Sequence, residues 1–188
     1  MSAENNRTVS FEDEPLILVN AADEVVGYKS KLECHRGSGI LHRAFSIFIF
    51  NDRKQLLLQR RSEQKQLWPL YWSNSVCSHP RKGETMDIAI RRRLQEELGF
   101  WVPLQFLYKF QYQAGFNQKG SENEVCSVYI GKYTGPIRPN RTEIAGWKFG
   151  DGDVLEKDIT EHPNAYTPWF RMEWERIRKE FWKEVETL

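Results

Sequence analysis

Three of the four histidines in the chain lie in polar or glycine-containing segments that are candidates for chemistry. His35 and His42 flank the short segment RGSG, and His79 follows Cys77 by two positions. Residues two apart in an extended segment project from the same face of the backbone, so we expect Cys77 and His79 to lie side by side.

Glu122 and Glu124 have the same spacing, at the start of an apolar run. Burying two such carboxylates is costly unless a cation neutralises them, and a bound metal would do so. Three imidazoles and two carboxylates exceed the needs of a tetrahedral zinc site. This mixed set favours manganese or magnesium with five or six ligands, with zinc as a competitor. The predicted metal ligands are His35, His42, His79, Glu122 and Glu124.

Each of these residues alone has an ordinary structural explanation. A single histidine is more often hydrogen-bonded in a loop or core than bound to a metal. Glu122 and Glu124 alone would most often mark a solvated strand end, and Cys77 alone would be a small buried hydrophobe. Only their combination favours a functional site.

Several short segments rich in apolar, β-branched or aromatic residues predict strands. They are residues 16–19, 45–50, 56–59, 106–112, 124–133 and 144–149. A polar turn joins the second and third segments, which predicts a hairpin. We therefore expect a sheet through the middle of the chain.

Two segments have features of helices. Apolar residues recur at every fourth position from Met86 to Leu98 and Gly99 follows as a stop, which predicts a helix over residues 83–98. Residues 167–188 open with Thr167 and Pro168, a good N-cap and first-turn pair, and should form a closing helix. A mixed sheet flanked by helices is an α+β fold, similar to an α/β sandwich.

Length and composition favour one domain. The 188 residues are 40% hydrophobic and 13% aromatic, enough for a single core. We expect residues 1–14 to be disordered and residues 15–188 to form the domain. The net charge of +1 provides no general attraction to nucleic acid or anionic membranes.

The chain is expected to be cytoplasmic, because it has no apolar run of membrane-spanning length and its N-terminus is polar. Three cysteines, an odd count, argue against a disulfide framework. We expect Cys34 in a loop and Cys126 inside a strand.

Four motifs resemble those of the type I isopentenyl diphosphate isomerases, in order and spacing across nearly the whole chain. They are NSVCSHP at residues 74–80, ENEVC at 122–126, LHRAFS at 41–46 and TPW at 167–169. The first two are each fairly specific, and their joint occurrence with the histidines is very specific. The resemblance implies an isomerase of isoprenoid biosynthesis that interconverts isopentenyl diphosphate and dimethylallyl diphosphate through a tertiary carbocation.

These isomerases belong to the Nudix superfamily, whose box G-x5-E-x7-R-E-U-x-E-E-x-G-U is altered here. Aligned on Gly99, the box has Ser78 in place of its first glycine and Arg93 in place of its second glutamate. Nudix hydrolases hold water-activating metals with clustered helix carboxylates, so Arg93 should impair that chemistry. An arginine can instead bind two diphosphate oxygens as a fork. The box residues retained are Glu84, Arg92, Leu94, Glu96 and Glu97.

The resemblance also implies roles for individual residues. Cys77 and Glu124 would occupy opposed proton-transfer positions, with Tyr112 passing a proton to or from the carboxylate. Trp169 would offer an aromatic face to the carbocation. Glu97 would hold a magnesium ion that bridges to the diphosphate. The residues implied to bind the diphosphate itself are Lys31, Arg61, Lys65 and Arg93.

Two other functions fit parts of the sequence. A Nudix hydrolase of a diphosphate substrate would use Glu96 and Glu97 but has no use for Cys77 and the three histidines. A non-catalytic diphosphate-binding module would have a broken ligand set, whereas all the predicted metal ligands are present. We expect a small isoprenoid diphosphate as the partner, no nucleic acid and no membrane. The sequence leaves the oligomeric state open and favours a monomer.

Overall fold

A computed structural model describes residues 6–188, in which a mixed sheet of nine strands lies between helices. The strands are β1 Pro15–Val19, β2 Val25–Ser30, β3 His42–Phe50, β4 Leu56–Arg61, β5 Trp72–Ser73, β6 Val76–Ser78, β7 Gln105–Phe116, β8 Gly120–Lys132 and β9 Ile144–Gly150. The helices are α1 Lys31–His35, α2 Met86–Leu98, α3 Gly152–Glu161, α4 Pro168–Glu180 and α5 Trp182–Glu186, with a 3-10 turn at Pro163–Ala165. The expected α+β fold is confirmed.

Strand β3 is the centre of the sheet. It pairs in parallel with β8 along its whole length and antiparallel with β1, β4 and β6. Its side chains alternate between two cores: Phe48 and Phe50 face one, and Phe45, Ile47 and Ile49 face the other. Burial on both faces explains why this stretch of the sequence is almost continuously apolar.

A helix covers each core, so the layers are helix, sheet and helix. Helix α4 packs on one face through Trp169, Phe170 and Trp174. Helix α2 packs on the other face with Ala89, Ile90, Leu94 and Leu98. In the part of the chain described, no helix combines the length and apolarity needed to cross a membrane.

Both predicted helices form, but their bounds differ from the predictions. Helix α2 begins at Met86 because Thr85 is its N-cap, and it ends at Gly99, whose φ of 77° is left-handed. The predicted C-terminal helix is divided into α4 and α5 at Phe181. Thr167 precedes α4 as predicted, yet its hydroxyl lies 3.0 Å from the Ser73 hydroxyl and does not cap the helix backbone.

The predicted hairpin forms at a single position of the ladder. Phe50 and Leu56 are antiparallel partners, after which β4 diverges from β3 to pair with β9. Cys126 lies inside β8 as expected. The prediction of a loop at Cys34 is wrong, because this residue is buried in the short helix α1.

The N-terminal segment contacts the domain where the structure describes it. Residues 1–5 of the stretch predicted to be disordered lie outside the described residues. Within residues 6–14, Val9 is 6% exposed, and its carbonyl accepts hydrogen bonds from Arg81 and Arg93 at 3.0 and 3.1 Å. The domain boundary at residue 15 stays a prediction.

Candidate active site

Side chains from separate elements form a compact cluster with the composition of a metal site. One candidate ligand atom from each lies within 4.8 Å of all the others. None of these side chains is more than 11% exposed. The cluster contains the five predicted ligands, namely His35, His42, His79, Glu122 and Glu124. It is therefore capable of holding a metal ion.

His35 is positioned by the helix that it ends. Helix α1 opens with a capping box, in which Ser30 and Glu33 satisfy each other's backbone N–H groups. Nδ1 of His35 lies 2.6 Å from the Lys31 carbonyl oxygen, which directs Nε2 into the cluster. A Cβ at Gly120 would collide with the His35 carbonyl, so only glycine permits this approach of β8.

Successive side chains of β8 project from opposite faces of the strand, and the two faces have different roles. Ser121 and Asn123 donate hydrogen bonds of 2.8 and 3.2 Å to carbonyls of Gly37 and Gly39, fixing the loop between two of the histidines. Glu122 and Glu124 project from the opposite face into the cluster, since successive residues of a strand alternate.

Glu124 is held on both of its oxygens. The β3–β8 register places His42 opposite Glu124, with Nε2 of the imidazole 3.6 Å from Oε1. Nε2 of His79 lies 2.8 Å from the same oxygen, and the Tyr112 hydroxyl donates to Oε2 at 2.6 Å. The carboxylate therefore links the histidine cluster to Tyr112.

Two buried atoms of the cluster lack hydrogen-bond partners within residues 6–188: Nε2 of His42 and Oε2 of Glu122. Nε2 of His35 is 2.7 Å from that Glu122 oxygen, but not in hydrogen-bond geometry. In its neutral form, each of these imidazoles donates from Nδ1 to a backbone carbonyl and presents a lone pair at Nε2. Acceptors that face acceptors in a buried site fit a cation between them.

The protonation of His79 favours the same conclusion. Burial lowers the pKa of this imidazole well below its usual value, and the nearby His42 and His35 lower it further. The neutral imidazole is the form that binds metals. A neutral His79, grouped with two further imidazoles and two carboxylates, fits a divalent ion.

Cys77 lies beside the cluster, in the strand that leads to His79. Its thiol lines the same cavity as Tyr112 and Trp169. Burial raises the pKa of Cys77 to about 12, so its sulfur carries a proton at neutral pH. Nη1 of Arg61 lies 3.6 Å from this sulfur.

The loop after β4 holds Arg61 in place. The carbonyls of Leu67 and Trp68 accept hydrogen bonds from Arg61 at 2.9 and 3.1 Å. Trp68 and Leu70 have positive φ angles of 47° and 64°, which are costly for bulky residues. The strained backbone is thus found where two carbonyls are aimed at one guanidinium.

Basic side chains also line this cavity, which has a volume of about 160 Å³. Burial lowers the pKa of Lys31, and the charge of Lys65 lowers it further. The cavity is lined by all four predicted diphosphate ligands, Lys31, Arg61, Lys65 and Arg93.

Arg93 is 2% exposed and is bound by carboxylates. It lies 2.6 Å from Glu97, one helical turn later, and 2.8 Å from Glu143. Glu143 also contacts Lys65. Burial raises the pKa of Glu143, but Lys65 and Arg93 outweigh this effect and hold it well below its usual range.

The sequence did not indicate every residue of the cavity. Glu143 stands alone before β9, and no motif around it distinguishes it from a surface carboxylate. Thr8, Ser10 and Glu12, from the segment predicted to be disordered, also line the cavity. Of the predicted site residues, His42 and Glu97 lie behind the lining, at 0% and 2% exposure.

Known proteins resemble this chain over most of its length. A model of the NUDIX domain family matches residues 40–170. Isopentenyl-diphosphate Delta-isomerase 1 of Photorhabdus laumondii is 39% identical over 166 residues, which cover 87% of this chain and 94% of the relative. Isopentenyl-diphosphate Delta-isomerase of Serratia proteamaculans is 42% identical over 158 residues, covering 84% and 88%.

The fold of a solved structure agrees with these relatives. DR0079 from Deinococcus radiodurans superposes with a TM-score of 0.66 at 27% identity, covering 79% of this chain and 90% of that chain. The expected Nudix-type sheet with flanking helices is thereby confirmed. On the combined sequence and family matches, the chain belongs to the isopentenyl-diphosphate Delta-isomerase family of NUDIX domain proteins.

Proposed function

We propose that the protein is an isomerase that interconverts isopentenyl diphosphate and dimethylallyl diphosphate in isoprenoid biosynthesis. The observation that carries the proposal is that Cys77 and Glu124 share one cavity with four basic side chains. The basic side chains suit a diphosphate, and the thiol and carboxylate suit proton transfer to and from its hydrocarbon part.

The reaction adds a proton to the terminal alkene carbon and removes another from the carbon two positions away, leaving the diphosphate unchanged. One group must donate a proton and another must accept one, on opposite faces of a tertiary carbocation. Cys77 and Glu124 are the two groups we assign. Tyr112, whose hydroxyl donates to Glu124 at 2.6 Å, is placed to pass a proton to or from that carboxylate.

Trp169 suits the wall of a pocket in which a carbocation forms. The indole is 2% exposed, and its ring centroid lies 6.2 Å from that of Tyr112. Aromatic faces stabilise a cation without supplying the water that would convert it to an alcohol. We therefore assign Trp169 to stabilising the cation.

We assign the metal to the five-residue cluster, whose composition favours manganese or magnesium, with zinc as a competitor. A divalent ion there would supply the positive charge that keeps Glu122 and Glu124 ionised beside the substrate. Lys31, Arg61, Lys65 and Arg93 would bind the diphosphate. Glu97 would hold a magnesium ion with the diphosphate, and this role stays a prediction.

The test is to incubate the purified protein with isopentenyl diphosphate and magnesium in heavy water. Dimethylallyl diphosphate should form, with deuterium in its new methyl group, because the added proton comes from an exchangeable group. Release of phosphate without this product would favour a hydrolase. Product free of deuterium would exclude the protonation route.

The matched variants are Cys77→Ala and Cys34→Ala. Cys77→Ala should fold and bind diphosphate but lose activity by several orders of magnitude, because a missing proton-transfer group has no ready substitute. Cys34 is buried outside the cavity lining, and its alanine variant should retain activity. Full activity in Cys77→Ala would remove this thiol from the mechanism.

A further inference from the structure

The N-terminal segment is fixed to the domain by its backbone. The carbonyl of Arg7 accepts a hydrogen bond of 2.8 Å from Asn140, and the carbonyl of Val9 accepts bonds of 3.0 and 3.1 Å from Arg81 and Arg93. The side chain of Val9 is buried. The backbone carbonyls of Arg7 and Val9, together with the Val9 side chain, therefore anchor this segment.

Alternate side chains of this segment face the proposed diphosphate cavity. Thr8 and Ser10 line it two positions apart, and Glu12 lines it from the turn that follows. The Ser10 hydroxyl lies 3.5 Å from Oε2 of Glu143, the same oxygen that contacts Lys65 and Arg93. Ser10 therefore lies next to the ion pairs that Glu143 forms with Lys65 and Arg93.

We propose that Thr8 and Ser10 complete the diphosphate-binding site by donating hydroxyl hydrogen bonds to diphosphate oxygens. The assignment rests on the proposed function of the same cavity. Hydroxyls are neutral donors that bind phosphate oxygens. The Ser10 bond to Glu143 is long at 3.5 Å, so little is lost when the hydroxyl turns to an incoming anion.

Glu12 provides a test in which the expected change is stronger, not weaker, diphosphate binding. Glu12 lines the same cavity, and its negative charge repels a diphosphate, so removing that charge should strengthen binding. A merely structural role for the segment predicts that any change in it weakens binding. Asp13 is the matched control, because it is an exposed acidic neighbour outside the cavity lining.

The experiment measures binding of inorganic diphosphate by calorimetry to full-length Thr8→Val/Ser10→Ala, Glu12→Gln and Asp13→Asn. These changes keep the backbone anchors. The double variant should bind about ten-fold more weakly, as expected for lost hydrogen bonds to a charged ligand. Glu12→Gln should bind about two-fold more tightly, since the charge is exposed and screened, and Asp13→Asn should match the wild type.

Kinetics with isopentenyl diphosphate provide the second measurement. In the double variant KM should rise while kcat stays within about two-fold, because these hydroxyls bind a part of the substrate that does not react. Wild-type diphosphate affinity in the double variant, or equal weakening in Glu12→Gln, would overturn the assignment. A protein that lacks isomerase activity but shows the expected calorimetric differences would overturn only the reaction proposed above.

Discussion

Two pairs of buried carboxylates are neutralised in different ways. Glu122 and Glu124 face imidazoles, and the pair includes a buried oxygen without a hydrogen-bond partner within residues 6–188. Glu97 and Glu143 instead share Arg93, which donates to both carboxylates. The first pair belongs to a cluster capable of holding a cation from outside the chain, whereas the second is balanced by the chain's own side chains. Buried acidic groups therefore indicate a candidate metal site in the first region and an internal ion-pair network in the second.

Removing a ligand from the first region should have the largest effect. His42→Ala and Glu122→Gln should lose bound metal and at least about a hundred-fold of the isomerase activity, since even partners one shell further from a metal contribute that much. Elemental analysis after gel filtration measures the metal content.

Glu143→Gln is the control from the second region and should keep its metal. Wild-type metal content in both cluster variants would show that these residues do not hold the ion. Loss of metal from Glu143→Gln would show that the two regions are not independent.

Removing the shared cation from the second region should mainly reduce stability. Arg93→Leu leaves Glu97 and Glu143 buried without their common partner, which costs about 3–5 kcal/mol in the free energy of unfolding. It should also weaken use of isopentenyl diphosphate. Urea denaturation measures the loss of stability in Arg93→Leu. Adding Glu97→Gln and Glu143→Gln to this variant should recover part of the lost stability. An unchanged urea midpoint in Arg93→Leu would contradict the proposed balance of charge.

A third buried carboxyl, Glu173, differs from both pairs in its surroundings. Its Oε1 lies 3.5 Å from the Cys126 sulfur, and its Oε2 has no hydrogen-bond partner among the described residues. Burial raises the pKa of Glu173 to about 8. The folded protein therefore binds a proton that the unfolded chain releases near pH 4.5.

Of the three changes, loss of this proton should have the smallest effect on activity, because Glu173 lies outside the cavity lining. The contribution of Glu173 to stability is complete below about pH 4.5 and is lost as the pH rises to about 8, with a slope of about 1.4 kcal/mol per pH unit. Glu173→Gln should remove that slope and be the more stable protein at the alkaline end. Thermal unfolding between pH 5 and 8 measures it, and parallel curves for variant and wild type would refute the prediction.

The residues of the candidate metal cluster were predictable from the sequence because some of them lie in short motifs with local spacing. Cys77 and His79 lie two apart, as do Glu122 and Glu124, and strand alternation converts that spacing into a shared face. The roles of Arg61, Tyr112 and Trp169 came from the family resemblance and stay predictions.

Other parts of the cavity carry no local pattern. Only the fold brings Glu143 to Lys65 and Ser10. Because these are single residues far apart in the chain, the sequence does not predict their contacts. The strands that pair with β3 could not be predicted for a similar reason. Its apolar run predicts a buried strand, but a parallel partner as distant as β8 is chosen by tertiary packing.

The parallel register of β3 and β8 also bears on how the chain reaches its native state. A slip by one residue would turn Glu122 and Glu124 away from the histidines and present Asn123 and Val125 instead. Pairing of strands so distant in the sequence is slow and exposed to such errors. Because only the native register assembles the complete ligand set, metal present during refolding should select correctly paired chains over slipped ones.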